Sequence, residues 1–319
     1  MRKQNLLITL QPSSGVDTAR WLMGHYEIPY EERPHAPIFH VLALKWWKQG
    51  PEDYALLVEP DGKKTFGRVP IAERFDGAAA ADKKLIPDQA TEKELYDDVM
   101  AVVNYSGTVT GSAVVNWSYF NLLKSKWVVW PSIVTNVPWY EKLFCFLAFR
   151  VIRVLMYKGL GLNQEVSDKA LKTIYQSFDR IDERLSDGRE YLCGDRLTLA
   201  DISVAALFGP SILVQGYGGH LPNQVKCPEY MQKVYKELRE RPTGLFIQRM
   251  YDQHRVPKQL RLRITMAKPN LLITMRPAKD VDLGRFLMAH YEVPYKERPH
   301  APIFHVFALK WWGYGDRGY

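Results

Sequence analysis

The sequence contains little cysteine, and the cysteines that it has form no recognisable site. Among 319 residues there are three, Cys145, Cys193 and Cys227, and none of their spacings is that of a metal-ligand pair. An odd number of cysteines, with only five apolar residues after Arg2 and Lys3, is typical of reduced thiols rather than of a secreted disulfide framework. The sequence therefore predicts a cytoplasmic protein with no bound metal.

Most of the chain also lacks a surplus of either positive or negative charge. The formal net charge is +8, but the residues from Arg255 onward contain 12 Lys and Arg against 5 Asp and Glu. The preceding 254 residues contain 31 against 30. A surface for RNA or DNA needs its basic surplus on the folded body. We therefore expect no nucleic-acid partner, and interpret the basic stretch at 257–268 as a linker.

One long stretch, Val99–Leu123, lacks formal charge altogether. Its length would suit a membrane-spanning helix, and Gly107 and Gly111 have the spacing of packed transmembrane helices. Its asparagine, serine and threonine side chains would be costly in hydrocarbon, however. The sequence favours a buried helix that uses its small residues for close contacts.

The beginning of the chain is repeated near its end. Asn5–Gly50 returns as Asn270–Gly315 at an offset of 265, and 32 of the 46 paired positions are identical. A repeat of this length indicates a tandem duplication rather than a solenoid. We expect residues 269–319 to be an incomplete second copy of the N-terminal unit, too small at about 50 residues to fold alone.

The pattern of elements predicts two domains before that copy. Residues 1–80 have the order β-α-β-α-β-β-α, with a strand at Leu6–Leu10, a turn at Pro60–Gly62 and a last helix around Ile71–Phe75. That order is typical of an α/β thioredoxin-like domain. Residues 90–256 predict an all-α domain, with helices near 92–124, 139–158, 166–186, 199–215, 228–240 and 243–253.

The most specific local motif is YLCGDRLTLADIS at Tyr191–Ser203. Thr198 is placed to cap the following helix, and Asp201 lies three residues further on, which predicts a capping box. We therefore interpret Asp201 as a structural residue and not as a general base. Thr91 and Glu94 have the same spacing and predict a second capping box.

These features together resemble the cytosolic glutathione S-transferase superfamily. The resemblance covers roughly Leu6–Val256 and is strongest at Tyr191–Leu207, which is similar to the family pattern Y-L-x-G-D-x-x-T-x-A-D. Three shorter segments resemble a bacterial branch of glutathione-transferase-like proteins: Ala19–Trp21, Glu31–His35 and Pro242–His254.

The resemblance implies an activity, a cosubstrate and a set of site residues. It implies a homodimeric transferase of alkyl or aryl groups, which lowers the pKa of the glutathione thiol so that the thiolate attacks a small hydrophobic electrophile. A hydroxyl at the start of the first helix would activate the thiol, where the helix dipole favours an anion. Ser14 or Ser13 occupies that place, and helix capping is the alternative role of either. We expect Arg20, Thr65, Gly67 and Arg68 to lie around glutathione.

The sequence departs from the family in two places. The acidic-Ser pair that grips the γ-glutamyl group is replaced by Gly67 and Arg68. Free amides at that helix start still suit a carboxylate, and Arg68 adds a charge-assisted partner. No proline occurs in Asp53–Leu57, where many members have a cis-proline before the third strand.

These departures leave two other functions open. One is a non-catalytic protein of the same fold that binds hydrophobic ligands or protein partners. The other is a membrane-associated member, held through Val99–Leu123 or through the amphipathic stretch Leu143–Tyr157. His25, His35 and His40 are ten and five residues apart, which suits no single helical metal face, so we expect structural or surface roles for them.

Overall fold

The computed structural model describes residues 4–50, 55–255, 270–275 and 295–300, the last two ranges by their backbone. The chain divides into two compact units between Thr265 and Met266. The first unit contains both the sheet and the helical domain.

The N-terminal part is a four-stranded sheet with three helices. Its strands have the order β2-β1-β3-β4, in which β1 and β2 are parallel and the other neighbours are antiparallel. The predicted thioredoxin-like order β-α-β-α-β-β-α is confirmed. The elements are β1 Asn5–Leu10, α1 Ser14–His25, β2 Tyr30–His35, α2 Phe39–Trp46, β3 Leu56–Val58, β4 Lys64–Phe66 and α3 Arg68–Asp76.

Both faces of the sheet are covered, which explains why β1 is an almost unbroken apolar run. Successive side chains of a strand point to opposite faces. Leu7 belongs to the large core that continues into the helical domain. Leu6 and Ile8 belong to a smaller core on the other face, together with Leu44 of α2.

The remainder of the first unit is helical, as predicted. Its elements are α4 Lys93–Tyr105, a π-helical segment Ser106–Gly111, α5 Ser112–Leu122, α6 Lys126–Val134, α7 Trp139–Gly159, α8 Gln164–Leu185, α9 Leu199–Phe208, α10 Glu229–Glu240 and α11 Pro242–His254. All ten residues of α9 are buried, because α1, α4, α11 and the π segment surround it. The capping box of Thr198 and Asp201 at its start is confirmed.

The structure departs from the local predictions for this domain in several places. The single helix expected at 92–124 is interrupted by the π segment. The helix α6 was not predicted, because Pro131 lies inside it. The capping box at Thr91 does not form: α4 begins at Lys93 after Glu92, and the carboxylate of Asp88 accepts from the amide of Thr91 instead.

The uncharged stretch Val99–Leu123 forms contacts through its small residues, as predicted. A side chain at Gly107 would collide with Arg68, and one at Gly111 would lie 3.2 Å from the carbonyl oxygen of Ser106. Within the part of the chain that the structure describes, no helix is long and apolar enough to cross a membrane.

The second unit contributes two described strands, β5 Asn270–Met275 and β6 Tyr295–His300. They pair in parallel with Asn270 opposite Tyr295, which is the register of Asn5 and Tyr30 displaced by 265. The other elements of the predicted second copy lie outside the described residues, and so does the linker at 257–268. The incomplete copy therefore stays a prediction.

Candidate functional site

The strand register brings four chain segments to one edge of the sheet. β1 and β2 run in parallel and end together at Leu10 and His35. β3 runs the other way, and its first residue Leu56 pairs with both Ile8 and Phe66, the last residue of β4. The starts of α1 and α3 therefore leave the sheet at the same edge. The predicted residues Ser13, Ser14, Gly67 and Arg68 lie at this edge.

Ser13 and Ser14 have different positions at the start of α1. Ser13 is the N-cap residue, and its hydroxyl accepts from the amide of Val16 at 3.4 Å. Ser14 is the first helical residue, and its hydroxyl makes no hydrogen bond to another described residue, although its carbonyl oxygen accepts from Thr18 at 3.1 Å. Ser14 thus retains a hydroxyl available for another partner, beside backbone amides that the cap leaves unpaired.

The first turn of α1 also contains a buried carboxylate, Asp17, which the sequence gave no reason to single out. Its oxygens accept from the guanidinium of Arg255 at 2.6 Å, the hydroxyl of Tyr251 at 2.6 Å and the amide of Gly218 at 2.8 Å. The ion pair neutralises a negative charge close to the helix start. It also fastens α1 to the end of α11.

Arg20, predicted to contact glutathione, is engaged inside the protein. Its side chain is 2% exposed, and its Nε and one terminal nitrogen pair with the carboxylate of Glu32, the shorter contact being 2.6 Å. The same terminal nitrogen donates to Gln11 at 3.3 Å. Nη1 is left without a partner among the described residues and lies near Gly219. These contacts fix α1 against β2.

Gly67 permits a sharp entry into α3. Its φ is 81°, a left-handed value that residues with a Cβ seldom adopt, and its amide donates to the carbonyl of Ala55 at 3.1 Å. No side chain caps α3, so the first amides of the helix point outward without a partner from the cap. Thr65 precedes this turn in β4 and is partly buried. The start of α3 is thus a second place where the helix dipole favours an anion.

Arg68 is the cation of this edge that lacks an acidic partner. One terminal nitrogen donates to the carbonyl of Val103 in α4 at 3.2 Å, and no described carboxylate pairs with the side chain. Its Nε is buried without a hydrogen-bond partner among the described residues. Burial lowers the pKa of the guanidinium from its ordinary value. A partly buried cation with spare donors is suited to a carboxylate ligand.

The π segment provides the space that Arg68 occupies. A Cβ added at Gly107 would lie 1.6 Å from a terminal nitrogen of Arg68, so the guanidinium lies directly on the backbone of that glycine. Single π-helical turns inside α-helices occur frequently at functional sites. The helical domain therefore shapes the position of a residue that belongs to the thioredoxin-like domain.

A contact from α7 reaches the same edge and was not foreseen. Glu141, in the first turn of α7, is 1% exposed, and its carboxylate bonds to His35 Nδ1 at 2.7 Å and to the amide of Ala36 at 2.8 Å. These partners are 106 and 105 residues away in the sequence, so no local pattern announces them. The contact fixes α7 beside the end of β2.

The described residues offer neither a metal site nor a reactive thiol of their own. No group of three or more metal-ligating side chains occurs among them. The three cysteines are buried, and burial raises the pKa of the Cys145 thiol to about 11. Activated sulfur chemistry at this edge would therefore need a thiol from a ligand.

A separate cavity lies within the helical domain. It has a volume of about 280 Å³ and is lined by Trp117, Asn121, Lys124, Asp168 and Tyr230 among others. These residues belong to α5, α8 and α10 and their connections, away from the strand ends that meet at Leu10 and Phe66. We place the candidate site at the sheet edge, where helix starts and Arg68 converge.

Comparisons with known proteins agree with the architecture. Residues 164–245 match the family described as the C-terminal domain of glutathione S-transferases. No curated protein matches the chain. Among solved structures, a glutathione S-transferase of Ceriporiopsis subvermispora in complex with glutathione superposes with a TM-score of 0.52 and 15% identity, over 80% of this chain and 100% of that one.

Two further solved structures are similar at lower scores. The β-etherase of Sphingobium sp. strain SYK-6 has a TM-score of 0.49 and 16% identity, over 76% of this chain and 98% of that one. A glutathione S-transferase of Methylobacillus flagellatus, solved with glutathione bound, has a TM-score of 0.45 and 15% identity over the same shares. The fold is that of the glutathione transferases, with a thioredoxin-like part followed by a helical domain that the family model matches over residues 164–245.

Proposed function

We propose that the protein is a glutathione transferase that binds glutathione at the sheet edge and activates its thiol through Ser14. The observation that supports this proposal most strongly is the difference in hydrogen bonding between two neighbouring serines. Ser13 is used as the helix cap, whereas the hydroxyl of Ser14 has no partner among the described residues. The resemblance to glutathione transferases implies that a hydroxyl at the start of α1 donates a hydrogen bond to the thiolate, and Ser14 is the first residue of that helix.

The surroundings of Ser14 favour an anion. The unpaired amides at the helix start and the helix dipole both stabilise negative charge. Asp17 would oppose this from the same turn, but its charge is paired with Arg255 at 2.6 Å. A bound thiol would accept a hydrogen bond from Ser14 as it ionises, and its pKa would fall for that reason.

Arg68 and the start of α3 complete the proposed site by holding a carboxylate of glutathione. Arg68 has spare donors and no acidic partner among the described side chains. The outward amides after Gly67 add uncharged donors. Thr65 remains a proposed contact beside them. Arg20 has an indirect role in this proposal, because its guanidinium already pairs with the carboxylate of Glu32.

The fold comparisons add weight from outside the chain. The Ceriporiopsis protein of the same fold was crystallised with glutathione. We extend that ligand to this chain, with a small hydrophobic electrophile as the second substrate and a cytoplasmic homodimer as the working form. The alternative, a non-catalytic binding protein of this fold, shares the glutathione site and differs in the absence of turnover.

Ser14→Ala in the full chain tests the catalytic part of the proposal. With glutathione and a general aromatic electrophile, we expect the rate to fall at least about 10-fold, which corresponds to about 1.4 kcal/mol of transition-state stabilisation. The apparent pKa in the pH–rate profile should rise towards that of the free thiol. Ser186→Ala is the matched control, since its hydroxyl bonds only to the carbonyl of Glu183 on an exposed turn.

The outcomes separate the candidate roles. Equal turnover in wild type and Ser14→Ala would remove Ser14 from the mechanism, and a loss confined to Ser13→Ala would transfer the role to Ser13. Binding of glutathione without turnover of any electrophile tested would favour the non-catalytic alternative.

A further inference from the structure

The helix α7 exposes a broad apolar surface. The aliphatic residues Leu143, Leu147, Val151, Val154 and Leu155 are 51%, 75%, 60%, 49% and 51% exposed. They recur at intervals of three and four residues, so they form one face along the helix. We call these five residues the α7 apolar face. Trp139 and Tyr140 extend it at the start of the helix, at 66% and 51% exposure.

The fold itself covers only the opposite side of α7. Glu141, Cys145, Phe149 and Ile152 are its buried residues and form a second stripe at helical spacing. α7 therefore has two apolar sides, and the described part of the protein covers one of them. Apolar patches of this kind on a folded unit mark contact sites.

The exposed charges of α7 all have one sign. Lys142, Arg150 and Lys158 are exposed and Arg153 is partly exposed. The helix contains one acidic residue, Glu141, and its carboxylate is hydrogen-bonded to His35 and Ala36 inside the protein. The exposed part of α7 therefore combines apolar side chains with cations and no anion.

The two neighbouring helices continue this character. Phe39 of α2 packs edge-on against Tyr140 and Phe144, with ring centroids 6.4 and 5.2 Å apart. α2 exposes Leu42 and Trp46 at 56% and 85%, and α6 exposes Trp127 at 64%. Neither α2 nor α6 contains an acidic residue.

A second copy of the chain does not suit this surface. A two-fold interface places the same patch against itself. The cations of one α7 would then face those of the other, without an exposed carboxylate on α2, α6 or α7 to compensate. Bringing like charges together while removing water from them is unfavourable.

An anionic lipid surface meets each of these features. Apolar side chains enter the boundary between headgroups and acyl chains, tryptophan and tyrosine favour that boundary, and lysine and arginine pair with anionic headgroups. We propose that α7 lies in the plane of an anionic membrane surface, with α2 and α6 beside it, and holds the protein there. The contact is peripheral, and the proposal does not depend on glutathione binding.

Vesicle flotation of the full chain tests the proposal with matched variants. The probes are vesicles of phosphatidylcholine alone and of phosphatidylcholine with phosphatidylglycerol. The variant Leu147→Glu/Val151→Glu changes two exposed residues of the face. Its control, Val225→Glu/Leu245→Glu, makes the same change in charge at residues that are 76% and 62% exposed elsewhere. Thermal unfolding of each variant verifies that the fold is intact.

We expect wild type and control to float with the anionic vesicles at low salt, and the face variant to bind at least about 10-fold less. Arg150→Ala/Lys158→Ala should also weaken binding, whereas Lys169→Ala/Lys172→Ala on exposed positions of α8 should not. Binding should decrease as salt screens the charges.

Three results would overturn the proposal. One is the absence of wild-type binding to anionic vesicles at low salt. Another is equal binding by the face variant and its control. The third is a wild-type dimer in sedimentation that dissociates in Leu147→Glu/Val151→Glu while no chain floats, which would assign the face to a second copy.

Discussion

Replacing Asp201 by alanine should weaken the fold in a way that depends on pH. The carboxylate is fully buried, and it accepts from the amides of Leu192 and Thr198, each at 2.7 Å, and from the Thr198 hydroxyl at 2.8 Å. Alanine leaves these donors without their acceptor. A buried donor without a partner costs about 1–3 kcal/mol, and a lost cap costs about 0.5–2 kcal/mol.

Ionisation of Asp201 offsets part of the stabilisation that these hydrogen bonds provide. Burial raises its pKa from 3.8 to about 6, although the hydrogen bonds act in the other direction. The folded state therefore holds the proton more tightly than the unfolded state does, and this contribution to stability decreases as pH rises from about 4 to 6. At pH 7 the ionised group costs the fold roughly 3 kcal/mol, and at pH 5 about half of that.

Asp201→Ala removes both the acceptor and the cost of the buried charge. We expect the free energy of unfolding to fall by about 1–2 kcal/mol at pH 7 and by about 1 kcal/mol more at pH 5. Denaturant unfolding of wild type and variant at the two pH values measures the difference, and glutathione affinity should not change specifically. A stability loss that grows as pH rises, or unchanged stability with abolished binding, would refute the reasoning.

Two further substitutions address the packing around the site. Asp17→Ala leaves the 3%-exposed Arg255 side chain as a buried unpaired cation. The free energy of unfolding, measured with denaturant, should fall by about 3–5 kcal/mol. Asp17→Ala/Arg255→Met should recover much of this loss, and a double variant no more stable than the single one would contradict the ion-pair account. Gly107→Ala should push Arg68 from its place and weaken glutathione binding at least about 5-fold, whereas Gly159→Ala, where a Cβ meets nothing within 4 Å, should not. Equal affinities of the two glycine variants would separate Arg68 from the π segment.

The order of the elements could be predicted because its signals are local. The turn at Pro60–Gly62 and the apolar run at Leu6–Leu10 depend only on neighbouring residues, and both are in the structure. The capping box of Thr198 and Asp201 is another local device, and it forms as predicted.

The same spacing at Thr91 gave a wrong prediction of a capping box, because other residues form the hydrogen bonds there. Asp88 takes the Thr91 amide, and the carboxylate of Glu92 pairs with Arg196 at 2.9 Å, 104 residues away. A capping pattern therefore shows only that a helix start could be capped by its own side chains. Which donor satisfies it is decided by other segments that reach the same place.

The environment of the candidate site could be predicted only in part. Ser14, Gly67 and Arg68 could be named from the resemblance, and the register places them at one edge. The contacts that position this edge join distant residues, such as Asp17 with Arg255 at a separation of 238. Such pairs have no spacing to recognise, and a single sequence does not reveal them.

Calorimetric titration of glutathione into the full chain tests the central claim most directly, with Arg68→Gln as the variant and Arg33→Gln as the control. Arg33 is 48% exposed and lies 3.8 Å from Glu31 at the surface. Wild type and control should bind with measurable heat, and Arg68→Gln should bind at least about 10-fold more weakly, because a charge-assisted carboxylate contact contributes about 1.5–3 kcal/mol. No heat from wild type at millimolar glutathione, or equal affinity in Arg68→Gln, would contradict a glutathione site at this edge.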